Sequence, residues 1–139
     1  MSRYFLDTHV VGWLLSNDPK LDEHVKEDIE YPSGNRYFTS EYVVMELLHL
    51  KQLGKLSVAG SVKDLYSMLQ VRNIEIELVS QKVFEALLEL PILTVKKKTH
   101  SDMIDRIIIA DCIANRYTMV SHDAKFPYYR KYGLNLLEV

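Results

Sequence analysis

Cysteine is nearly missing from this chain. Cys112 is the only one, which excludes an intrachain disulfide framework and a multi-cysteine zinc site and suits a reducing compartment. No hydrophobic run is long. The apolar start, Tyr4-Phe5-Leu6 and then 10–15, is interrupted by Asp7 and His9; it is too short to span a bilayer and no small-residue cleavage site follows it. A cytoplasmic location with no membrane partner is therefore expected. Basic charge is not in excess either: 17 Lys and Arg against 19 Asp and Glu leave a net charge of −2. That argues against a basic protein that coats nucleic acid, while an acidic active site on an otherwise basic surface stays open. Internal repeats, low-complexity tracts and linkers are absent, and so is a Gly-x-x-x-x-Gly-Lys loop, which argues against nucleotide hydrolysis of the P-loop kind.

What is present is an ordinary globular composition: 139 residues, 47% hydrophobic and 26% charged. This length fits one domain, 1–139, able to bury roughly two-thirds of its unfolded surface without disulfides or a structural metal. Short apolar runs at 4–6, 37–39, 74–78 and 117–120 read as strands, with 134–137 as a fifth. Helical patterns lie between them at 10–16, 20–30, 41–53, 62–71, 81–90 and 102–116, with Ser40 as an N-cap and Gly54 and Pro91 as stops. The stretch 94–101 reads as a loop, and 127–133 as a loop or short helix. This alternation predicts an α/β three-layer sandwich, with a central, mainly parallel sheet of four to five short strands flanked by helices. Ligands of such sheets bind beyond the carboxyl ends of the strands.

Four acids fall where that rule directs attention. Asp7 follows the first strand and Asp123 the fourth; the two face one crevice if those strands are neighbours. Glu46 lies about two turns into the helix after the second strand, among Val43, Val44, Met45, Leu47 and Leu48, a poor setting for a solvated carboxylate. Asp105 lies in the first turn of the helix that feeds the fourth strand. Each has a structural reading too: a turn residue, a helix-dipole partner or a solvated side chain. Two unit charges about 6 Å apart repel by roughly 3 kcal/mol at an effective dielectric near 20. Four converging carboxylates therefore call for cations, and an all-oxygen set suits Mg²⁺ or Mn²⁺. Such a centre suits phosphodiester hydrolysis.

The same residues carry a resemblance. Leu6-Asp7-Thr8-His9-Val10 with Trp13 and Leu14, then Glu46 followed by Gly54-Lys55-Leu56, resemble in order the motifs of PIN-domain proteins of the VapC toxin type. So do His100-Ser101-Asp102-Met103-Ile104-Asp105-Arg106 with Ile108, Ile109 and Ala110, and Val120-Ser121-His122-Asp123 with Phe126 and Tyr129. The likeness spans residue 6 to about 129. It implies a PIN-like fold, a Mg²⁺- or Mn²⁺-dependent ribonuclease acting on RNA, inhibition by a cognate antitoxin, and a homodimer. By position it makes Asp7, Glu46, Asp105 and Asp123 both the catalytic and the metal-binding residues. The family's Pro-Phe is Met103-Ile104 here, its Thr-Arg is Ser121-His122, and its serine and tryptophan before the glutamate are lacking. These departures touch substrate preference more than catalysis. Two other classes remain: a non-catalytic PIN-like module that binds RNA or protein, and a receiver-type phosphoryl-transfer protein, for which one aspartate after the first strand is too few.

Secondary candidates are read as follows. Asp102 is the N-cap of its helix. Asp111, turned about 240° from Asp105 on the same helix, is solvated or in an interface. Thr8 and Ser121 hold a ligand, a water or a local turn, and Arg106 neutralises the acids, holds a phosphate or forms a structural salt bridge. His9, His100 and His122 are poor ligands for a hard cation. Lys96-Lys97-Lys98 is a solvated loop or an RNA contact. Tyr128, Tyr129 and Tyr132, interleaved with Lys125, Arg130 and Lys131, are core residues or base-stacking residues. The stripe Val62, Leu65 and Leu69 is core, and excess apolar surface there or on the second helix would dock a partner helix.

Overall fold

The computed structural model describes residues 2–58 and 60–139. Its central sheet holds five parallel strands in the order β3-β2-β1-β6-β7, formed by β1 (Arg3–Leu6), β2 (Arg36–Ser40), β3 (Ile74–Glu77), β6 (Thr118–Ser121) and β7 (Asn135–Glu138). The helices are α1 (Thr8–Ser16), α2 (Glu23–Glu30), α3 (Glu41–Gln52), α4 (Val62–Val71), α5 (Gln81–Glu89) and α6 (Met103–Asn115), with a 3₁₀ segment over Phe126–Tyr132. Parallel strands need crossovers, and these helices supply them. Phe5 and Leu6 leave opposite faces of β1 and both are fully buried, as are Met119 and Val120 of β6. Both faces of the sheet are therefore covered, as the sandwich reading requires.

Local chemistry explains the boundaries. Asp7 ends β1 and caps α1, its Oδ1 accepting from the Val10 N–H at 2.9 Å. α2 begins at Glu23, three residues later than the sequence reading, because Asp22 accepts from the N–H groups of His24 and Val25. α4 begins with a capping box between Ser61 and Asp64. Asp102 caps α6 as expected, through the Asp105 N–H at 2.9 Å. Ser40 holds the N-cap position of α3, but its hydroxyl donates across the sheet to the Glu77 carbonyl at 3.1 Å instead.

Two readings need correction here. The stretch 94–101 is not a plain loop: β4 (Thr94–Val95) and β5 (Lys98–Thr99) form a small antiparallel hairpin, turned by Lys96 and Lys97. The stripe on α4 is core only in part, since Leu65 and Leu69 are buried while Val62 is half exposed.

Candidate active site

β1 and β6 are direct neighbours, with Leu6 opposite Val120. Asp7 and Asp123 consequently emerge at the same sheet edge. Ser121 ties them: its hydroxyl donates to Asp7 Oδ2 and accepts from the Asp123 N–H, the latter at 3.1 Å. Asp7 is almost wholly buried at 3% exposure. Loss of hydration raises its pKa to about 6, against the pull of the Ser121 and Val10 hydrogen bonds.

The other two acids reach the same mouth from helices. Glu46 on α3 is half buried, and its pKa is raised by desolvation and by the charges of Asp105 and Asp102, while the neighbouring Thr8 hydroxyl draws it down. Asp105, in the first turn of α6, is also raised by burial, with Lys125 opposing. Asp123 Oδ1 accepts from the Lys125 N–H at 2.8 Å. That tight turn brings the Lys125 ammonium back over the acids, 2.6 Å from Asp105 Oδ2 and 3.4 Å from Asp123 Oδ2. Burial draws that ammonium's pKa down, but the two carboxylates outweigh it and leave it above lysine's ordinary value.

Asp7, Glu46 and Asp105 thus each feel another of the acids, yet the set is not fused into a cage. Among the described residues no three Asp, Glu, His or Cys groups are gathered closely enough to hold a metal as they stand. Three observations nevertheless fit a hard cation. The donor set is all oxygen, a cationic ammonium already sits between two of the acids, and the buried Thr8 Oγ1 has no hydrogen-bond partner among the described residues.

Lys125 is the residue that sequence reasoning missed, noting it only as one of the basic residues interleaved with the tyrosines. Its signal was the two-residue spacing from Asp123, which favours a turn closed by the aspartate side chain. Arg106 is placed differently from all three of its readings: Nη1 donates to the Pro91 carbonyl at 3.1 Å and Nη2 to Leu90 at 3.0 Å, satisfying the end of α5. Arg106→Ala should therefore cost about 1–3 kcal/mol in chemical denaturation, and Lys should not restore it. Unchanged stability would show that those bonds do not hold α5 to α6. Asp111, expected in solvent or an interface, is buried and accepts from the Tyr42 hydroxyl and Asn115 Nδ2, each at 2.6 Å. Tyr129 is core, whereas Tyr128 and Tyr132 are partly exposed.

Beside Glu46, Met45, Leu48, Val62, Phe84 and Ile104 line an open, mainly apolar groove of about 1420 Å³. Exposed Met45 on α3, Val62 on α4 and Phe84 on α5 give it its apolar surface, of which only Val62 comes from the α4 stripe.

The PIN domain family model matches residues 4–132. The fold is similar to that in the structure of VapBC2 from Rickettsia felis bound to a DNA fragment from their promoter (20% identity, 98% of each chain covered, TM-score 0.68). It is also similar to that in DNA-bound VapBC from Salmonella typhimurium (16% identity, covering 99% of this chain and 98% of that one, TM-score 0.69). A toxin-antitoxin complex from Klebsiella pneumoniae is a further likeness (18% identity, 88% of each chain, TM-score 0.52). No curated protein matches the chain.

Proposed function

Because the chain belongs to the PIN-domain family, we propose that it is a divalent-metal-dependent endoribonuclease and the toxin of a VapBC-type toxin–antitoxin pair. The observation that carries the reading is the meeting of Asp7 and Asp123 at the carboxyl ends of β1 and β6, with Asp105 joined to Asp123 through Lys125 and Glu46 in the field of Asp105.

Asp7, Glu46, Asp105 and Asp123 would hold Mg²⁺ or Mn²⁺. Such a cation would supply Lewis-acid polarisation of a phosphodiester and activation of the attacking water. The chain's own part is positioning. Ser121 and the Val10 N–H fix both oxygens of Asp7. The Thr8 hydroxyl stands next to Glu46 and favours its carboxylate, and Lys125 offsets the negative field at Asp105 and Asp123. The apolar groove beside Glu46 supports an antitoxin segment docking as a helix against the site. A homodimer and a cytoplasmic location belong to the same proposal.

The test is cleavage of total cellular RNA with Mg²⁺ or Mn²⁺, with a chelator, and with Asp105→Asn. Discrete fragments that need metal and vanish in the variant are expected. Full activity in Asp105→Asn would sink the assignment. Absence of both cleavage and a saturable metal site would favour a non-catalytic module that binds RNA or protein.

A further inference from the structure

A second cleft opens beside Thr8 and His9, the residues that follow Asp7. It lies between α1 and the segment after α3, has a volume of about 570 Å³, and is lined by Thr8, His9, Trp13, Lys20, Lys55 and Leu56, among others. Thr8 joins it to the acid site, since it lines the cleft and is the residue next to Asp7. Trp13 is partly exposed there. The His9 ring lies 6.3 Å from the indole, and the His122 ring meets it edge-on at 5.6 Å. His122 is itself pinned, with Nδ1 donating to the Val139 carbonyl oxygen. The ammonium groups of Lys20 and Lys55 are exposed and have no partner among the described residues. Asp18, an acid on the rim, uses Oδ1 on the Lys20 N–H.

Aromatic and imidazole faces flanked by free cations are the chemistry that takes an unpaired nucleotide. The rings stack on a base and the ammonium groups meet the phosphates. A duplex cannot present a base in this way without unstacking it. The volume is that of a small-molecule site and accommodates one nucleotide. We propose that this cleft is a nucleobase subsite of the substrate RNA, in which Trp13 stacks on an unpaired base next to the cleaved position and Lys55 contacts its phosphate. The inference rests on the ribonuclease reading and adds to it a place where one base of the substrate is held. It moves base recognition from the tyrosine segment 128–132 to α1.

Trp13 is the only tryptophan in the chain, so its emission reports on this cleft alone. The probes are fluorescently end-labelled single-stranded oligoribonucleotides, the same length of duplex RNA, and an abasic oligomer with the same backbone. They are titrated into the wild-type chain in chelator and into Asp105→Asn with Mg²⁺, so that nothing is cut. Binding is followed by anisotropy of the label and, in parallel with unlabelled RNA, by Trp13 emission. The single strands should quench Trp13 with the midpoint seen by anisotropy, and the duplex and abasic oligomers should not quench it. Trp13→Leu should weaken single-strand binding roughly tenfold, and Lys55→Glu, on an exposed residue that leaves the fold intact, several-fold. Binding by anisotropy without a change in Trp13 emission, or equal quenching by the abasic oligomer, overturns the subsite alone. No binding of any RNA overturns the subsite together with the ribonuclease reading.

Discussion

Asp7→Asn should make the metal-free protein more stable at pH 7.5 while abolishing RNA cleavage. The folded carboxyl titrates near 6 and its ordinary value is 3.8. A raised acid stabilises the fold through its protonated form. That contribution is full below about 3.8 and is lost as pH rises through about 6. At neutral pH the buried carboxylate therefore costs as much as about 3 kcal/mol relative to acid conditions. Asn carries no charge to desolvate, remains a good N-cap, and keeps an oxygen for the Val10 N–H. Its amide then donates to the Ser121 hydroxyl. In chelator, the variant should melt several degrees above wild type at pH 7.5, and the gap should close toward pH 4. Mn²⁺ should then stabilise the wild type by mass action far more than the variant. An equal or lower melting temperature for Asp7→Asn at pH 7.5 would show that burial of this carboxylate carries no cost.

Lys125→Met should bind Mn²⁺ more tightly than wild type, by five- to tenfold. The ammonium lies 2.6 Å from Asp105 and 3.4 Å from Asp123, so a divalent cation must compete with it for the same oxygens. The side chain is 41% exposed, and solvent leaves such a contact about 1 kcal/mol, which sets the size of the effect. Calorimetric titration with Mn²⁺ measures it without RNA. Removal of Lys125 should also lower the melting temperature in chelator, because the acids lose their counter-charge. Weaker Mn²⁺ binding in the variant would mean that Lys125 assists the cation instead of standing in its place.

The parts of this fold that local chemistry specifies were readable in the sequence. The apolar run ending at Asp7 announces the first strand, and the α4 limits follow from the three-and-four spacing of Val62, Leu65 and Leu69; the caps supplied by Asp7 and Ser61 emerge only in the structure. The hairpin at 94–99 was not readable. Its turn puts Lys96 at φ 52° and Lys97 at φ 66°, where Asn or Gly ordinarily marks such a turn, so no turn residue announces it. Asp111 was misread because its partner Tyr42 lies 69 residues away; periodicity places a residue on a helix face without saying what packs there. The same limit applies to the acids. Spacing put Asp7 and Asp123 at strand ends, but only the strand order makes those ends adjacent. The Lys125 ammonium and the Trp13 cleft depend on how loops fold back, which one-dimensional patterns do not encode.

The Ser121 hydroxyl spans 114 residues of sequence to reach Asp7, and β6 that carries it is an interior strand of the sheet. A chain still emerging from the ribosome therefore has Asp7 and Glu46 in hand but no assembled acid site, because the sheet lacks the strand that closes it. Such long-range pairing is slow relative to local helix formation. Synthesis and assembly of the acid site are separated in time by the topology itself, because the four candidate acids are not together until Asp123 has been released and seated beside Asp7.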